Sequence, residues 1–219
     1  MFEVRSNYFE RAVVRPLDGD FSPSETPGAV RSILDWNDGE VPRATAIARY
    51  TPGTSIPSPP EGIGEEIFVL KGAYEDALGV YSAGTYLRNP SGTSHNARTV
   101  DGCELFVKLA RFDSEERDRI VVDTRKSAWL PGLIEGLSVL PLYAHGTESV
   151  ALVRWLPHTS FMPHTHFGGE EILVLLGVFE DEHGAYPAGT WVRSPSMSRH
   201  QPFTVEGCVI LVRVGHLPG

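Results

Sequence analysis

The chain has few cysteines and no long apolar segment. Cys103 and Cys208 are its only cysteines, and neither belongs to a Cys-x-x-Cys motif, which argues against a zinc finger or a thioredoxin-type redox site. Each opens a short apolar run, so we expect two reduced, buried thiols, with a redox pair as the alternative. No run of eighteen apolar residues occurs, and the first residues lack the apolar core of a signal peptide. We therefore expect a cytoplasmic protein without a membrane span.

Positive charge is also scarce. Lys and Arg number 19 against 28 Asp and Glu, which gives a formal net charge of −9 at pH 7. Affinity for nucleic acids and anionic membranes comes mainly from Lys and Arg, so we expect neither as a partner. No phosphate-binding loop, dinucleotide-binding glycine pattern or Ser-His-Asp arrangement is recognisable. The chemistry of this chain must therefore come from other residues.

What the chain does contain is an internal repeat. Residues 51–108 align with residues 156–213 without a gap, and 26 of these 58 positions are identical. The sequence Gly-Glu-Glu-Ile-x-Val-Leu-x-Gly occurs at Gly64–Gly72 and returns at Gly169–Gly177. A weaker upstream similarity relates Arg11-Ala-Val-Val to Arg119-Ile-Val-Val. We therefore divide the chain into two domains, residues 1–112 and residues 113–219.

The local pattern in both domains is typical of β-strands. Short runs rich in Val, Ile and Leu, such as 44–49, 66–70 and 209–214, are bounded by Gly, Pro, Asp or Asn. The 17 prolines and 22 glycines are spread throughout and interrupt any long helix. The sequence predicts an all-β protein built as a sandwich or barrel.

Three histidines and one glutamate of the second domain have the spacing of a metal-ligand set. His164 and His166 are two residues apart, so on a strand both imidazoles face the same side. A predicted turn at 167–169 follows, Glu170 opens the returning strand, and His200 arrives from a later strand. We predict that these four residues bind one divalent transition metal, the alternative being a hydrogen-bonded core network.

The first domain keeps only part of this set. Pro59 and Glu61 take the places of the two closely spaced histidines, whereas Glu65 and His95 match the glutamate and the third histidine. The prolines at 57–60 disfavour a normally paired ligand strand, because proline has no N–H to donate. We expect a degraded site that keeps only the barrel structure. A second metal held by Glu61, Glu65 and His95 is the alternative.

These motifs resemble those of the cupin superfamily. The first cupin motif, G(X)5HXH(X)3–4E(X)6G, fits His164–Gly177, with His158 in place of its leading glycine. The second motif, G(X)5PXG(X)2H(X)3N, begins at Gly189, with Met197 in place of a glycine and Thr204 in place of the asparagine. The resemblance implies a bicupin, two tandem double-stranded β-helix (jelly-roll) barrels, of which the first has lost its metal site.

The stretch from His164 to Thr190 further resembles the ChrR cupin-like family. The family's namesake is a zinc-dependent anti-sigma factor whose C-terminal domain is a cupin of this kind. A second cupin stands here in place of the namesake's N-terminal zinc domain, so the resemblance does not imply sigma-factor binding. Other relatives are metal-dependent dioxygenases that cleave carbon–carbon bonds in diketones or hydroxyketones.

The resemblance therefore leaves two functions open. We expect a small-molecule or redox sensor with a regulatory role, and the alternative is an Fe(II)-type dioxygenase acting on a small oxygenated ketone or diketone. It implies His164, His166, Glu170 and His200 as ligands of one metal, with zinc expected and iron, manganese or nickel as alternatives. It also implies a small ligand or substrate in the C-terminal barrel, and a homodimer.

Overall fold

A computed structural model describes residues 3–37, 39, 43–93, 96–113 and 115–219. The regular secondary structure of these residues is β-strand, apart from one short 3-10 helix at Asp18–Asp20. No helix in the described part of the chain is long and apolar enough to cross a membrane.

The strands are numbered along the chain. Those before residue 124 are β1 (Ala12–Val14), β2 (Ser22–Pro23), β3 (Ala29–Asn37), β4 (Arg43–Tyr50), β5 (Ser55–Ile56), β6 (Gly64–Asp76), β7 (Gly79–Ser82), β8 (Thr85–Asn89), β9 (Ala97–Arg98), β10 (Cys103–Ala110) and β11 (Ile120–Asp123). Those after it are β12 (Leu130–Pro131), β13 (Leu137–His145), β14 (Glu148–Trp155), β15 (Thr159–Ser160), β16 (His164–His166), β17 (Glu170–Asp181), β18 (Gly184–Pro187), β19 (Trp191–Ser194), β20 (Ser198–His200), β21 (Phe203–Thr204) and β22 (Cys208–Val214).

The strands form two antiparallel jelly-roll barrels with the same pairing scheme. In the first, the main sheet has the order β11-β8-β6-β10-β4-β3-β2, and the short strands β5, β7 and β9 pair around the end of β6. In the second, the order is β1-β19-β17-β22-β14-β13-β12, and β15, β18 and β21 surround the end of β17. The all-β bicupin fold is thereby confirmed.

The compact units differ from the repeats in one respect. The first unit comprises Met1–Ser6 and Leu17–Ser127, and the second comprises Asn7–Pro16 and Ala128–Gly219. The repeat divides the chain at 112/113 instead. The difference arises because β1 pairs with β19 in the second sheet, whereas β11 pairs with β8 in the first. Strand β1, which lies in the first repeat, thus completes the second barrel. Strand β11, which lies in the second repeat, completes the first barrel.

Apolar side chains fill the interior of each barrel. The first core contains Ile56, Ile67, Val69, Tyr74, Leu87, Ala97, Cys103 and Leu105. The second contains Trp155, Ile172, Val174, Phe179, Tyr186, Val192, Cys208 and Ile210. Both cysteines are free and buried in these cores, which confirms the prediction of reduced core thiols.

The last glycine of the repeated motif has the same physical role in both barrels. Gly72 and Gly177 have φ of 68° and 69°, a left-handed conformation that side chains rarely adopt. A Cβ on Gly72 would lie 2.1 Å from the carbonyl oxygen of Gly102, and one on Gly177 would lie 2.0 Å from that of Gly207. Only glycine therefore allows the long central strand to approach its neighbour so closely at this point.

Two departures from the cupin motifs fall on strained backbone. His158 and Met197, which replace motif glycines, have φ of 62° and 67°. Their counterparts in the first unit, Gly53 and Gly92, have φ of 76° and 83°. The second barrel therefore keeps the backbone conformation of the motif although it has lost the glycines, at a cost of about 1–2 kcal/mol for each residue.

Candidate metal centre

The three histidines are brought together by one pair of short strands and one glycine turn. Strand β16 pairs with β20 so that His164 lies opposite His200. Gly168 and Gly169 have φ of 75° and 70° and turn the chain back towards β17. That strand begins at Glu170, which puts its carboxylate beside the imidazoles.

The nitrogen atoms of the histidines converge. One ring nitrogen each of His164, His166 and His200 lies within 4.8 Å of the others. The Nε2 atoms of His166 and His200 are 2.9 Å apart. His166 and His200 are buried, whereas His164 is only half-buried. Of the three imidazoles, that of His164 is therefore the one that solvent or a small molecule can reach.

Glu170 places an oxygen atom beside the two buried histidines. Its Oε2 lies 3.6 Å from Nε2 of His166 and 3.7 Å from Nε2 of His200. Burial raises the pKa of Glu170 to about 7, although the charge of His200 opposes this change. A buried carboxylate is stable as an anion only beside compensating positive charge, and a bound cation would supply it.

Hydrogen bonds on the far sides of the rings fix two of the tautomers. Nδ1 of His164 lies 3.0 Å from the carbonyl oxygen of Met162, to which it donates. Nδ1 of His200 lies 3.5 Å from Oδ2 of Asp181. With the proton on Nδ1, each ring presents the lone pair of Nε2 to the centre. This is the usual arrangement of a metal-binding histidine and its outer partner.

Asp181 is itself held by several donors. Tyr186 donates its hydroxyl to Oδ1 at 2.7 Å, and Arg11 donates to Oδ2 at 3.3 Å. The backbone N–H of His183 also donates to Oδ1, at 2.8 Å. Burial alone would raise the pKa of Asp181, but the hydrogen bonds from His200 and Tyr186 outweigh it and lower the pKa to about 2. Asp181 is therefore a fixed anion that orients the ring of His200.

Burial favours the neutral form of two of the three histidines. Burial lowers the pKa of His164, and burial together with the neighbouring imidazoles lowers that of His166 to about 3. Burial also disfavours the charged form of His200, but the hydrogen bond to Asp181 and the charge of Glu170 outweigh it and raise its pKa. Neutral imidazoles are the form that binds a metal.

The donor set fits a divalent transition metal. Ligand atoms that lie about 2.1 Å from a tetrahedral zinc ion are about 3.4 Å apart, close to the separations between Glu170 and the two buried histidines. A hydrogen bond between Nε2 of His166 and Nε2 of His200, which are 2.9 Å apart, is the alternative arrangement without a metal. The residues predicted from the sequence are thus together in space, and metal binding itself stays a prediction.

Comparison with known proteins shows the family of this chain. The model of the ChrR cupin-like domain family matches the chain twice, at residues 10–113 and 117–218. The chain belongs to the ChrR cupin-like family. No curated protein matches it.

Three solved structures share the bicupin fold of this ChrR cupin-like protein. A Pseudomonas aeruginosa protein named as a candidate glyoxylate-induced protein has a TM-score of 0.77 and 13% identity over 97% of this chain and 91% of its own. A candidate dioxygenase from Nostoc punctiforme has a TM-score of 0.72 and 19% identity over 97% and 81%. Lactobacillus farciminis oxalate decarboxylase, in a formate complex, has a TM-score of 0.67 and 14% identity over 94% and 86%. At these identities the likeness shows the fold alone.

The first barrel of this ChrR cupin-like protein does not repeat the arrangement in its described residues. Glu61 is exposed, whereas Glu65 is buried and accepts a hydrogen bond of 2.9 Å from Nδ2 of Asn89. His95 lies outside the described residues, so a site formed by Glu61, Glu65 and His95 stays an untested alternative.

Sequence reasoning was wrong about one histidine and missed one network. His216 has no partner pattern in the sequence, which predicts an exposed side chain, but this side chain is only 9% exposed and its Nε2 lies 3.3 Å from Oε1 of Glu171. Glu171 follows Glu170 on the same strand, and strand alternation predicts that it faces away from the three histidines, in agreement with its contact to His216. The network of Arg11, Asp181 and Tyr186 was missed, although its repetition as Arg119, Asp76 and Tyr81 could have revealed it.

Proposed function

We propose that the second barrel is a mononuclear metal centre that binds a small oxygenated organic molecule, and that the protein is a metal-dependent enzyme of the dioxygenase type acting on a small ketone or diketone. The observation that carries the proposal is the convergence of three imidazoles and one buried carboxylate beside a half-buried histidine. A divalent metal bound there supplies a Lewis acid for the oxygen atoms of the substrate.

The surroundings of His164 suit a partly apolar substrate. Its ring packs edge-on against Phe161, with the ring centroids 5.2 Å apart. Close to the ligands in sequence, Met162, Phe167 and Met197 expose 65%, 74% and 63% of their surface. Exposed apolar side chains of this kind commonly accompany small-molecule sites.

Glu170 is the group of this site that can exchange a proton with a substrate. It is buried and lies within 4 Å of two imidazole nitrogens. The hydrogen between the two carbonyl groups of a diketone is acidic, so a carboxylate at this position can accept it. We expect Glu170→Gln to abolish turnover while much of the metal stays bound, and unchanged turnover would remove Glu170 from this role.

A regulatory role is the second candidate function. It is favoured by the number of donors, because four protein ligands close the coordination shell of zinc and leave no position for chemistry. In that case a change of ligand at Glu170 or a molecule at the barrel mouth would be the signal. The two candidates therefore differ in whether the metal has an open position at which a substrate can react.

The test combines metal analysis with oxygen consumption. The protein is purified without chelator, its metal content is measured, and the Fe(II)-loaded form is assayed for oxygen uptake with pentane-2,4-dione. His166→Ala should lose both metal and uptake, whereas Glu61→Ala, at the equivalent position of the first barrel, should lose neither. Saturable zinc binding without uptake would favour regulation, and full metal retention in His166→Ala would contradict both functions.

A further inference from the structure

Arg11 lies in the first repeat, yet its guanidinium group lies beside the candidate metal centre of the second barrel. Its Nη2 atom donates to Oδ2 of Asp181 at 3.3 Å and to the hydroxyl oxygen of Tyr186 at 2.6 Å. The same Oδ2 atom lies 3.5 Å from Nδ1 of His200. One carboxylate oxygen is therefore shared between Arg11 and an imidazole of the centre.

The hydrogen bonds around Asp181 form a closed set. The two hydrogens on Nη2 of Arg11 go to Oδ2 of Asp181 and to the oxygen of Tyr186, so that Tyr186 donates its own hydrogen to Oδ1, at 2.7 Å. The guanidinium carbon of Arg11 also lies 5.3 Å from the centroid of the Tyr186 ring. Loss of Arg11 would leave Tyr186 and the N–H of His183 on Oδ1, but it would remove a donor from Oδ2, the oxygen that faces His200.

The position of Arg11 is fixed by the chain on both sides of it. On its C-terminal side, β1 pairs with β19 along all three of its residues. On its N-terminal side, Arg193 of β19 donates to the carbonyl oxygen of Asn7 at 3.0 Å, and its guanidinium carbon lies 4.6 Å from the centroid of the Tyr8 ring. Strand β19 in turn pairs with β17, which carries a candidate ligand at its first position. The N-terminal segment is thus one strand away from the strand that begins with this ligand.

The first barrel has an equivalent arginine. Arg119 precedes β11 as Arg11 precedes β1, and its Nη2 atom contacts Oδ2 of Asp76. Tyr81 donates to the other oxygen of this aspartate at 3.2 Å, and Nε of Arg119 donates to Oδ1 of Asn89 at 2.7 Å. The arrangement therefore has a structural part that both barrels share. Arg119 provides a matched control, because a change there measures this structural part in the other barrel.

We infer that Arg11 is a positioning residue of the metal centre, which fixes Asp181 and thereby orients the imidazole of His200 towards the metal. The inference rests on the proposed metal centre of the second barrel, but not on the reaction or the signal assigned to it. It makes metal affinity depend on the pairing of β1 with β19. By reciprocity, the bound metal stabilises this pairing by the same free energy by which the pairing strengthens metal binding.

The first test compares the zinc affinity of matched variants of the full-length protein. Arg11→Gln removes the guanidinium group, and we expect the affinity of the site that His166→Ala abolishes to fall about tenfold, a loss typical of an altered outer partner. Arg11→Lys keeps the charge and a donor to Asp181, so it should recover part of the loss. Arg119→Gln makes the same change in the first barrel and should leave this affinity unchanged. Competition with a chromophoric chelator measures each affinity.

The second test detects the state of the His200 ring in the metal-free protein. Long-range proton–nitrogen correlation NMR of histidine-labelled protein at alkaline pH shows which nitrogen of each ring carries the proton. In the wild type we expect the proton of His200 on Nδ1, and in Arg11→Gln a mixture of the two tautomers. A loss of stability alone would not change this ratio, and Arg119→Gln should leave it as in the wild type.

A third measurement needs no variant in β1, so it decides even if Arg11→Gln does not fold. One equivalent of zinc should slow backbone hydrogen exchange at residues 8–14 of the wild-type protein severalfold, because release of β1 would weaken the site. Exchange at residues 118–123, the equivalent segment of the first barrel, should stay the same. His166→Ala should lose the effect of zinc on residues 8–14. Peptide-resolved mass spectrometry distinguishes the two segments.

Several results would overturn the inference. Equal zinc affinities of the wild type and Arg11→Gln, or an equal fall in Arg119→Gln, would reduce Arg11 to a structural residue. An unchanged tautomer of His200, or exchange at residues 8–14 that does not respond to zinc, would do the same. Absence of zinc binding by the wild type would instead contradict the proposed metal centre, and the comparison of tautomers would then still decide whether Arg11 orients His200.

Discussion

At the scale of single residues, Asp181 has two roles in the second barrel. Asp181 accepts the backbone N–H of His183 in the turn after β17, and it also lies beside Nδ1 of His200. The same side chain therefore shapes the hairpin and fixes a ring nitrogen. In the first barrel Asp76 makes the equivalent turn bonds, to the N–H groups of Leu78 and Gly79.

This duplication provides a control for a prediction on metal affinity. Asp181→Asn removes the charged partner of His200, and we expect the affinity for zinc to fall roughly tenfold to a hundredfold. Asp76→Asn makes the same change in the first barrel. It should lower the stability of the protein and leave its affinity for zinc unchanged. Competition with a chromophoric chelator measures the affinity, and equal affinities of the two variants would show that Asp181 does not act through His200.

The two cysteines should be chemically inert while the protein is folded. Burial raises the pKa of Cys103, and it raises that of Cys208 to about 12. The reactive thiolate is then scarce near neutral pH, where an exposed cysteine has a pKa of about 8.5. We expect no reaction with a thiol reagent under native conditions and two reacting thiols per chain in denaturant. Rapid native labelling would contradict this burial.

At the scale of the elements, the strand-to-strand approach at the motif glycines controls barrel closure. Gly177 and Gly189 both have positive φ, at 69° and 87°. A Cβ would meet the backbone only at Gly177, since no atom lies within 4 Å of that position at Gly189. Comparing alanine substitutions at Gly177 and Gly189 therefore distinguishes the energetic cost of the left-handed backbone from the cost of a steric clash.

Alanine substitution at these two positions should give different losses of stability. We expect Gly189→Ala to cost about 1–2 kcal/mol for the left-handed conformation. Gly177→Ala should cost about 4 kcal/mol or more, because the backbone must also separate. Chemical denaturation measures the free energy of unfolding, and similar losses would mean that the strands can move apart at little cost.

The elements also show what the sequence could reveal. The ligand set followed from strand geometry, since His164 and His166 face the same side and the glycine turn returns the chain to Glu170. The burial of His216 could not be foreseen, because its partner Glu171 lies far away in sequence. Asp181 also contacts Arg11, and nothing in the short strand β1 indicates which sheet it joins.

At the scale of the whole molecule, β1 and β11 each join the barrel that the other repeat forms. Val13 lies opposite Val192, and Val121 lies opposite Leu87. The preceding arginines, Arg11 and Arg119, reach Asp181 and Asp76 respectively. A fragment cut at the end of the first repeat would therefore separate β1 from the sheet that it completes.

Replacing either strand should destabilise the barrel that it joins in space. We expect glycine at residues 12–14 to increase hydrogen exchange in residues 170–194, and glycine at residues 120–122 to increase it in residues 65–89. Each replacement should cost about 2 kcal/mol or more, because glycine is entropically unfavourable in strands and the side-chain packing is lost. Peptide-resolved hydrogen exchange distinguishes the two effects, and a change in the opposite barrel would contradict the pairing.

The place of β1 also affects how the chain matures during synthesis. Strand β1 leaves the ribosome before the rest of both barrels, and β19, its partner, emerges almost 180 residues later. Strand β11, by contrast, emerges only about 30 residues after β8. The first barrel can therefore close while the second repeat is still being translated, whereas the second barrel must wait for β19 and β22. Until then the segment around Arg11 stays without its sheet and is open to chaperones or proteases.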